Sequence, residues 1–331
     1  MNAINPAADY SQGSAAQATA LVSAPQNGAE LTVGNGFEAR SFRARDVGAV
    51  MDPLVMVDHY VMTEPTFGAH PHAGMSAVTL LFEDSEGRFH NRDSLGNDFD
   101  LHPGDLYWLS AGSGAVHDEA PREGARTHGL QVFVNVPQVR RFEAPASLLV
   151  RAKDMPVLSA AGYRVRVALG ESHGVRGAVS PALPMTILDG TLQEGGRFSH
   201  RSKAKRGIWI HAIEGSLDIV VGAEARSLAS GQALAINAGD AADVRLDNPS
   251  REPVQFALFD GGLIGETYIQ DGPFVMGTAE EIADIKAAYK AGRLGGDAFL
   301  LGPRSANTLG PAVSIQADSI QSGAIQAEID P

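Results

Sequence analysis

The chain has 331 residues, of which 44% are hydrophobic and 6% aromatic, a length and composition typical of two globular domains. Its formal net charge of −13 argues against a general nucleic-acid-binding surface, and we interpret the short basic run at residues 201–206 as a solvated loop. The absence of cysteine excludes disulfides and thiolate metal ligands. Neither an apolar run of about 18 residues nor a basic start followed by an apolar run occurs, so we predict no membrane span or secretory signal and expect a cytoplasmic protein.

The first half of the chain has the pattern of a β-domain. Residues 1–30 are rich in Ala, Ser, Asn and Gln without apolar periodicity, which predicts a flexible N-terminal extension. Short apolar runs then alternate with turn signals such as Pro103-Gly-Asp105. The runs are residues 54–57, 77–82, 106–109 and 130–136. The pattern is all-β and predicts a first β-domain over residues 31–145.

The second half repeats this style and ends in a helix. Its apolar runs are residues 163–169, 185–188, 207–211, 217–221, 233–236 and 254–259. They predict a second sandwich or barrel over residues 146–303. Thr278 and Glu281 form the capping box of a helix over residues 279–291, whose apolar face we expect to pack against a barrel. Residues 304–331 carry loosely repeated Ile-Gln phrases and are predicted to form a flexible tail.

Two residue pairs in the first half predict a metal site. His70-Pro-His72 and His117-Asp-Glu119 each place two ligands two residues apart, and such residues share one face of a strand. A single His-x-His pair is expected by chance roughly 0.3 times in a chain with this histidine content, so surface histidines are the alternative. The second pair of the same period favours the metal site. Three imidazoles and a carboxylate suit Fe(II), Mn, Ni, Cu or Zn, and an octahedral ion would keep two positions open.

Several phrases along the chain form a recognisable set. They are Asp52-Pro-Leu54, His70-Pro-His-Ala-Gly74, Arg92-Asp-Ser-Leu-Gly-Asn97, Pro103-Gly-Asp-Leu-Tyr-Trp108, Ala111-Gly-Ser-Gly-Ala-Val-His-Asp-Glu119, Gly129-Leu-Gln-Val-Phe-Val-Asn-Val-Pro137 and Gly272-Pro-Phe-Val-Met276. Together they resemble the pirin family, within the cupin superfamily. The resemblance extends over roughly residues 35–298.

This resemblance implies a bicupin, that is, two antiparallel jelly-roll barrels with a short C-terminal helix. The N-terminal barrel would hold one divalent metal ion, and the C-terminal barrel would hold none. The resemblance favours Fe(II) as this ion, with Cu, Ni, Mn or Zn as alternatives. The ligands carried over are His70, His72, His117 and Glu119. The second half has three histidines but no pair of this spacing, in agreement with that expectation.

Two positions depart from the usual family pattern. Ser76 stands where a glutamate is usual, which predicts altered surroundings of the ligands. Asn91 stands where a histidine is usual, and His90 one residue earlier would lie on the opposite face of a strand. Neither change removes an expected ligand, but both bear on substrate preference.

Other residues have weaker functional interpretations. Phe67, Trp108 and Gln131 are candidate substrate-pocket residues, with ordinary barrel interior as the alternative for the two aromatic side chains. His59 and His102 have no partner at a spacing of two residues, so we expect surface or hydrogen-bonding roles for them. The segment 112–114 lacks a following helix and a Lys, so we interpret it as a tight turn that presents His117 rather than as a phosphate-binding loop.

The resemblance implies two main functions. The first is a quercetinase-type dioxygenase, in which Glu119 assists deprotonation of a flavonol or similar enol and O2 cleaves the central ring with release of carbon monoxide. The alternative is a metal-containing, redox-sensitive regulatory protein that acts through protein partners, as a transcriptional cofactor or a regulator of metabolic enzymes. A metal-dependent isomerase stays open as well, because a fold does not fix a function.

Overall fold

The structure is a computed structural model that describes residues 3–4 and 20–294. It is built mainly of strands in two barrel-like halves, and in each half a seven-stranded sheet packs against a four-stranded sheet. The N-terminal strands are β1 (Ala3–Ile4) and β2 (Leu21–Val22). The strands of the first barrel are β3 (Ala29–Val33), β4 (Phe37–Arg43), β5 (Leu54–Met62), β6 (His70–His72), β7 (Met75–Leu81), β8 (Phe89–Asp93), β9 (Asp98–Leu101), β10 (Leu106–Ser110), β11 (Ala115–Pro121), β12 (Thr127–Asn135) and β13 (Ala146–Val150).

The second half has the same construction. Its strands are β14 (Val157–Ala160), β15 (Tyr163–Leu169), β16 (Glu171–Ser172), β17 (Val175–Arg176), β18 (Met185–Leu192), β19 (Arg197–Ser202), β20 (Arg206–Glu214), β21 (Leu217–Val221), β22 (Glu224–Leu228), β23 (Ala233–Ala238), β24 (Ala242–Asp247) and β25 (Val254–Gly262). Short helices lie at Ala44–Val47 (α1) and, as 3-10 turns, at Ala49–Met51, Gln138–Arg140 and Ala152–Asp154.

The sheet orders are alike in the two halves. The seven-stranded sheets run β13-β10-β7-β12-β5-β4-β3 and β14-β15-β18-β25-β20-β23-β2, and the four-stranded sheets run β6-β11-β8-β9 and β19-β24-β21-β22. Every one of these strand pairs is antiparallel. The all-β, two-barrel fold expected from the sequence is confirmed.

The two seven-stranded sheets pack against each other, so both faces of their central strands are buried. In β7, Val78 and Leu80 belong to one hydrophobic core with Trp209 and Phe259 of the second barrel, whereas Thr79 points into the first barrel. Alternation of apolar and polar residues is lost in a strand that is buried on both faces. This explains why the run at residues 77–82 is continuously apolar.

The segment before β4 differs from the expected flexible extension. Leu21–Val22 pairs with β23 and completes the large sheet of the second barrel. Ala29–Val33 pairs with β4 in the first barrel. Residues 20–30 therefore cross from one barrel to the other as part of both sheets, which is a correction to the prediction over residues 1–30. Residues 5–19 and the predicted tail at 304–331 lie outside the described residues.

The chain returns to the first barrel after β25. Strands β26 (Tyr268–Asp271) and β27 (Phe274–Met276) form a small sheet with β1. Helix α2 (Ala279–Lys290) follows, with the predicted Thr278–Glu281 capping box in place. Ile282 and Ile285 pack with Val116 of β11. The predicted helix is confirmed, and it supports the strand that carries His117. None of the described helices is long and apolar enough to cross a membrane.

Candidate metal centre

The metal-site prediction concerns two neighbouring antiparallel strands. In the register of β6 and β11, His117 lies opposite His70, and Ala115 lies opposite His72. Residues two apart share a face, so the histidines of both strands project into the first barrel together. Pro71 lacks a backbone N–H, and it lies in β6, which is the edge strand of its sheet.

The three imidazoles direct their Nε2 atoms to one place. Nε2 of His117 lies 3.0 Å from Nε2 of His72 and 3.1 Å from Nε2 of His70. The Nδ1–H of His70 donates to the carbonyl of Gly68 at 2.9 Å, so its Nε2 lone pair faces the group. Burial lowers the pKa of all three side chains, which keeps them neutral. Three neutral imidazoles with ligand atoms within 4.8 Å of one another are a donor set that can hold a transition-metal ion.

Glu119 lies beside this group rather than within it. Its Oε2 is 3.9 Å from Nδ1 of His117. Its carboxylate accepts a hydrogen bond from the Thr79 hydroxyl at 2.9 Å, and that hydroxyl also lies 2.9 Å from the side-chain amide of Gln131. Burial, with smaller effects from Asp118 and Asp93, raises the pKa of Glu119 to about 7, although the Thr79 hydrogen bond opposes the rise. The structure thus brings together three of the four expected ligands. The fourth, Glu119, is hydrogen-bonded to Thr79 instead.

Backbone contacts of two glycines fix the positions of the two strands that carry the histidines. Gly114 N–H donates to the carbonyl of Ala111 at 2.8 Å, which closes the tight turn expected before His117. The amide of Gly74, just after His72, donates to the carbonyl of Gly112 in this turn at 2.8 Å. A Cβ on Gly74 would lie 1.8 Å from the carbonyl oxygen of Val275, so a side chain cannot be accommodated without movement of β27.

The imidazoles open onto a cavity of about 800 Å³. Its wall includes aromatic and apolar side chains from the barrel interior together with charged and polar groups. The lining residues are Phe37, Arg43, Arg45, Met56, Asp58, Tyr60, Met62, Phe67, His70, His72, Phe89, His117, Glu119, Gln131, Phe133, Gln270, Asp271, Gly272 and Pro273. A mostly apolar cavity of this size with a few converging polar groups is typical of a small-molecule site.

The candidate pocket residues fall in different places. Phe67 and Gln131 line the cavity. Trp108 does not, and this expectation needs correction. It is fully buried and pairs with Val78 on the face of β10 that packs against the second barrel. Its neighbour Tyr107 points into the first barrel instead, because successive residues of a strand alternate between faces.

Several cavity residues were not predicted from the sequence. The Tyr60 hydroxyl is buried without a hydrogen-bond partner among the described residues. Arg43 and Asp58 form an ion pair at 3.4 Å on the wall. Residues 270–273 close the cavity from the returning C-terminal segment. The phrase at residues 272–276 was the one available signal, but its contact with the first barrel spans about two hundred residues of sequence and has no local pattern.

Three of the recognised phrases have supporting roles. Asp93 accepts hydrogen bonds from the amides of Leu95 and Asn97, which shapes the turn between β8 and β9. Asp105 accepts from the Arg151 side chain at 2.7 Å, and this contact fixes the start of β10. Asp52 accepts from the amides of residues 264 and 265 at 2.8 Å, which anchors the second half to the first barrel.

Comparison with known proteins identifies the family. The Pirin family model matches residues 33–134, and the model of the pirin C-terminal cupin domain matches residues 187–295. A pirin-like protein of Arabidopsis thaliana is 31% identical over 279 residues, covering 82% of this chain and 89% of that protein. The chain belongs to the pirin family. Pirin of Homo sapiens, another family member, is 29% identical over 267 residues, covering 80% of this chain and 91% of its own.

Solved structures share the pirin architecture. Quercetin 2,3-dioxygenase from Acinetobacter baumannii is 26% identical, with a TM-score of 0.73 over 84% of this chain and 99% of the other. The protein GK1651 from Geobacillus kaustophilus is also 26% identical, with a TM-score of 0.66 over 75% and 98% of the two chains. The bicupin fold is thus shared with these structures, and in this chain His70, His72 and His117 form a group that could hold a metal ion.

Proposed function

We propose that this chain is a metal-dependent dioxygenase of the quercetinase type, which cleaves a ring of a flavonol or similar enol with O2. The observation that carries the proposal is the convergence of three neutral imidazoles at the wall of an 800 Å³ cavity that also holds Glu119. The likeness to quercetin 2,3-dioxygenase from Acinetobacter baumannii supports it.

The donor set fits a divalent transition-metal ion. His70, His72 and His117 would hold it, and Glu119 would be the fourth ligand. Nitrogen and oxygen donors of this kind suit Fe(II), Cu, Ni, Mn and Zn. The resemblance to the pirin family favours Fe(II) among them. When bound, the ion supplies a Lewis-acid centre that stabilises the negative charge of the deprotonated substrate.

Glu119 is the proposed general base. Its carboxylate shares the cavity with the imidazoles, and in the metal-free protein burial raises its pKa to about 7, so the carboxylate accepts a proton readily when it is not bound to the ion. A base with a pKa near the working pH is the most effective acceptor of a weakly acidic hydroxyl proton. Thr79 holds the carboxylate in place through its hydrogen bond.

The remaining wall orients and shields the substrate. Burial raises the pKa of Tyr60 well above its ordinary value, so the hydroxyl keeps its proton and is available as a donor to a substrate oxygen. The rings of Phe37 and Phe67 pack edge to face, with 5.0 Å between their centroids, and provide an apolar surface for aromatic rings. Residues 270–273 of the returning C-terminal segment complete the wall of the cavity.

Oxygen consumption is the direct test. Purified protein is depleted of metal, reconstituted separately with Fe(II), Cu, Ni, Mn and Zn, and mixed with quercetin in an oxygen electrode. We expect uptake that requires a redox-active metal and is abolished in His117→Ala. The variant Glu119→Gln is expected to retain some metal while losing turnover.

The opposite result has a definite meaning. Absence of uptake by protein whose site is stoichiometrically filled would overturn the quercetinase assignment. Wild-type rates in both His117→Ala and Glu119→Gln would overturn the roles given to these residues. The regulatory alternative would then be examined through recovery of a stoichiometric protein partner.

A further inference from the structure

A second group of histidines lies at the seam between the two barrels, away from the cavity. Nε2 of His59 and Nε2 of His128 are 2.8 Å apart. Nδ1 of His128 lies 2.7 Å from Oδ2 of Asp84, and Nδ1 of His59 lies 3.0 Å from Nε2 of His211. We call these four residues the seam histidine group. It does not belong to the cavity wall described above.

Three strands from both barrels build this group. His59 of β5 lies opposite Leu130 of β12, so His128 of the same strand shares its face. This face packs against the second barrel, and His211 of β20 meets it from there with a completely buried side chain. The sequence offered no pattern for the arrangement, because the three histidines are neighbours only through tertiary contacts.

The group borders a surface cleft. His59 and His128 line a recess of about 510 Å³ together with Glu30, Glu38 and Arg40. Both side chains are partly exposed at the cleft, while His211 and Asp84 contact the other ring nitrogen of His59 and His128. The cleft thus presents the carboxylates of Glu30 and Glu38 together with the guanidinium of Arg40, which lies opposite His59 in the register of β4 and β5.

The ring contacts have the form of a metal site with its supporting shell. Two Nε2 atoms about 3 Å apart are what the cavity histidines also show, at 3.0 and 3.1 Å. Histidine ligands characteristically have the second ring nitrogen held by a carboxylate or another polar group. Asp84 does this for His128, and His211 does it for His59.

We propose that His59 and His128 form a second divalent transition-metal site, for Zn²⁺, Ni²⁺ or Cu²⁺, with water or the cleft carboxylates completing the coordination. Imidazole donors prefer these ions to Mg²⁺ or Ca²⁺. The site would join strands β5 and β12 and, through His211, fix the second barrel against the first.

The imidazoles of His59 and His128 can bind a metal ion while each ring of the group stays neutral. With Asp84 accepting the Nδ1–H of His128, the Nε2 of His128 carries a lone pair. His59 presents a lone pair at Nε2 when its proton sits on Nδ1 and is donated to Nε2 of His211. His211 then carries its proton on Nδ1. Each ring keeps one proton, so occupation of the site needs a tautomer change and no net proton loss.

Metal counting on tag-free, metal-depleted full-length protein tests the proposal. Zn²⁺ is titrated calorimetrically and bound zinc is counted after dialysis. We expect two ions per wild-type chain, one in His117→Ala, one in His128→Ala and none in the double variant. His102→Ala, which removes an exposed histidine from a turn, serves as the matched control and is expected to bind two.

Asp84→Asn provides a test that does not depend on removing a buried ring. Asp84 is half exposed, so this variant keeps the fold and both proposed ligands. Loss of a supporting carboxylate typically weakens metal binding about 10–100-fold. We expect that loss for one of the two zinc ions only.

Two outcomes would overturn the second site. One is His128→Ala binding as many ions as wild type with unchanged affinity, and the other is Asp84→Asn leaving every zinc affinity unchanged. If the cavity histidines do not take zinc, wild type binds a single ion that persists in His117→Ala and disappears in His128→Ala. Failure of the cavity site is therefore distinguishable from failure of the seam site.

Discussion

Asn91 lies directly opposite Glu119 on the neighbouring strand, and neither polar atom of its buried side-chain amide has a hydrogen-bond partner within the described part of the chain. Opposed residues of an antiparallel pair project to the same face, so this amide shares the barrel interior with the carboxylate. An unsatisfied buried polar group costs about 1–3 kcal/mol. The asparagine that replaces the usual histidine at this position therefore buries an unpaired amide, which lowers the stability of the folded protein.

Replacement of this amide by an apolar group of similar shape should stabilise the protein. We expect Asn91→Leu to raise the free energy of unfolding by about 1–3 kcal/mol, because the cost of the unpaired amide is removed. Urea unfolding of the metal-free protein measures this change. Asn237→Leu, at another nearly buried asparagine, provides the comparison. A loss of stability in Asn91→Leu would show that the amide is hydrogen-bonded in solution.

Thr79 sets the protonation of Glu119 through a single hydrogen bond. Donation to the carboxylate favours its charged form, so the contact lowers a pKa that burial raises to about 7. In Thr79→Val this opposition is lost, and we expect Glu119 of the metal-free protein to titrate about one pH unit higher, as followed by the infrared band of its carboxylate.

A buried threonine elsewhere provides the control for this change. Thr127 is equally buried, and its hydroxyl donates to the carbonyl of Met62. Thr127→Val should alter stability without moving the titration of Glu119. An unmoved titration in Thr79→Val would mean that this hydrogen bond does not favour the charged form of Glu119.

The histidine arrangement shows what a local pattern can predict. The spacing of two in residues 70–72 fixes a shared face on any strand, and the structure places those imidazoles with His117 as that rule requires. The face of Trp108 could not be obtained in this way, because both faces of its sheet are buried and the sequence does not alternate there.

The other features that the sequence did not predict depend on contacts between distant segments of the chain. His59 has no partner at a spacing of two residues, and its actual neighbours lie on another strand and in the other barrel. Residues 270–273 reach the cavity only after the second barrel is complete. Such relationships depend on how the barrels pack, and no periodicity within a segment encodes them.

Buried histidines should make the metal-free protein sensitive to acid. Burial lowers the pKa of His59 to about 3, and burial lowers the pKa of His72, His117 and His211 well below 6.5. Below pH 6.5 the unfolded chain binds protons at these rings that the folded chain does not. The contribution of these four rings to stability is therefore complete above pH 6.5 and falls as the pH decreases toward their folded-state values. Glu119, whose pKa burial raises to about 7, acts in the opposite direction over this range, but it is one group against four rings.

Each such ring contributes a slope of up to about 1.4 kcal/mol per pH unit. We expect the free energy of unfolding of metal-free protein, measured in urea, to fall steeply between pH 6.5 and about pH 5. His211→Phe should reduce the slope, because one titrating ring is removed. An equal slope in this variant would contradict the assignment of His211 as a ring that stays neutral on folding.

The final prediction concerns the glycine that follows His72. Gly74 and Gly124 both have positive φ angles, of 71° and 74°, so alanine carries a similar conformational cost of about 1–2 kcal/mol at either position. Their surroundings differ. A Cβ on Gly124 meets nothing within 4 Å, whereas a Cβ on Gly74 would lie 1.8 Å from the backbone oxygen of Val275. The pair therefore separates backbone strain from the steric clash.

We expect Gly124→Ala to lose about 1–2 kcal/mol of stability and to bind metal as wild type does. Gly74→Ala should lose a further ~1–3 kcal/mol, because the clash is with backbone that cannot rotate away. It should also weaken metal binding at the cavity, since Gly74 is hydrogen-bonded to the turn before His117 and its displacement moves both ligand strands. Denaturant unfolding and zinc titration measure the two effects. Equal losses in the two variants would mean that β27 yields freely, and that the returning segment does not hold the metal strands in place.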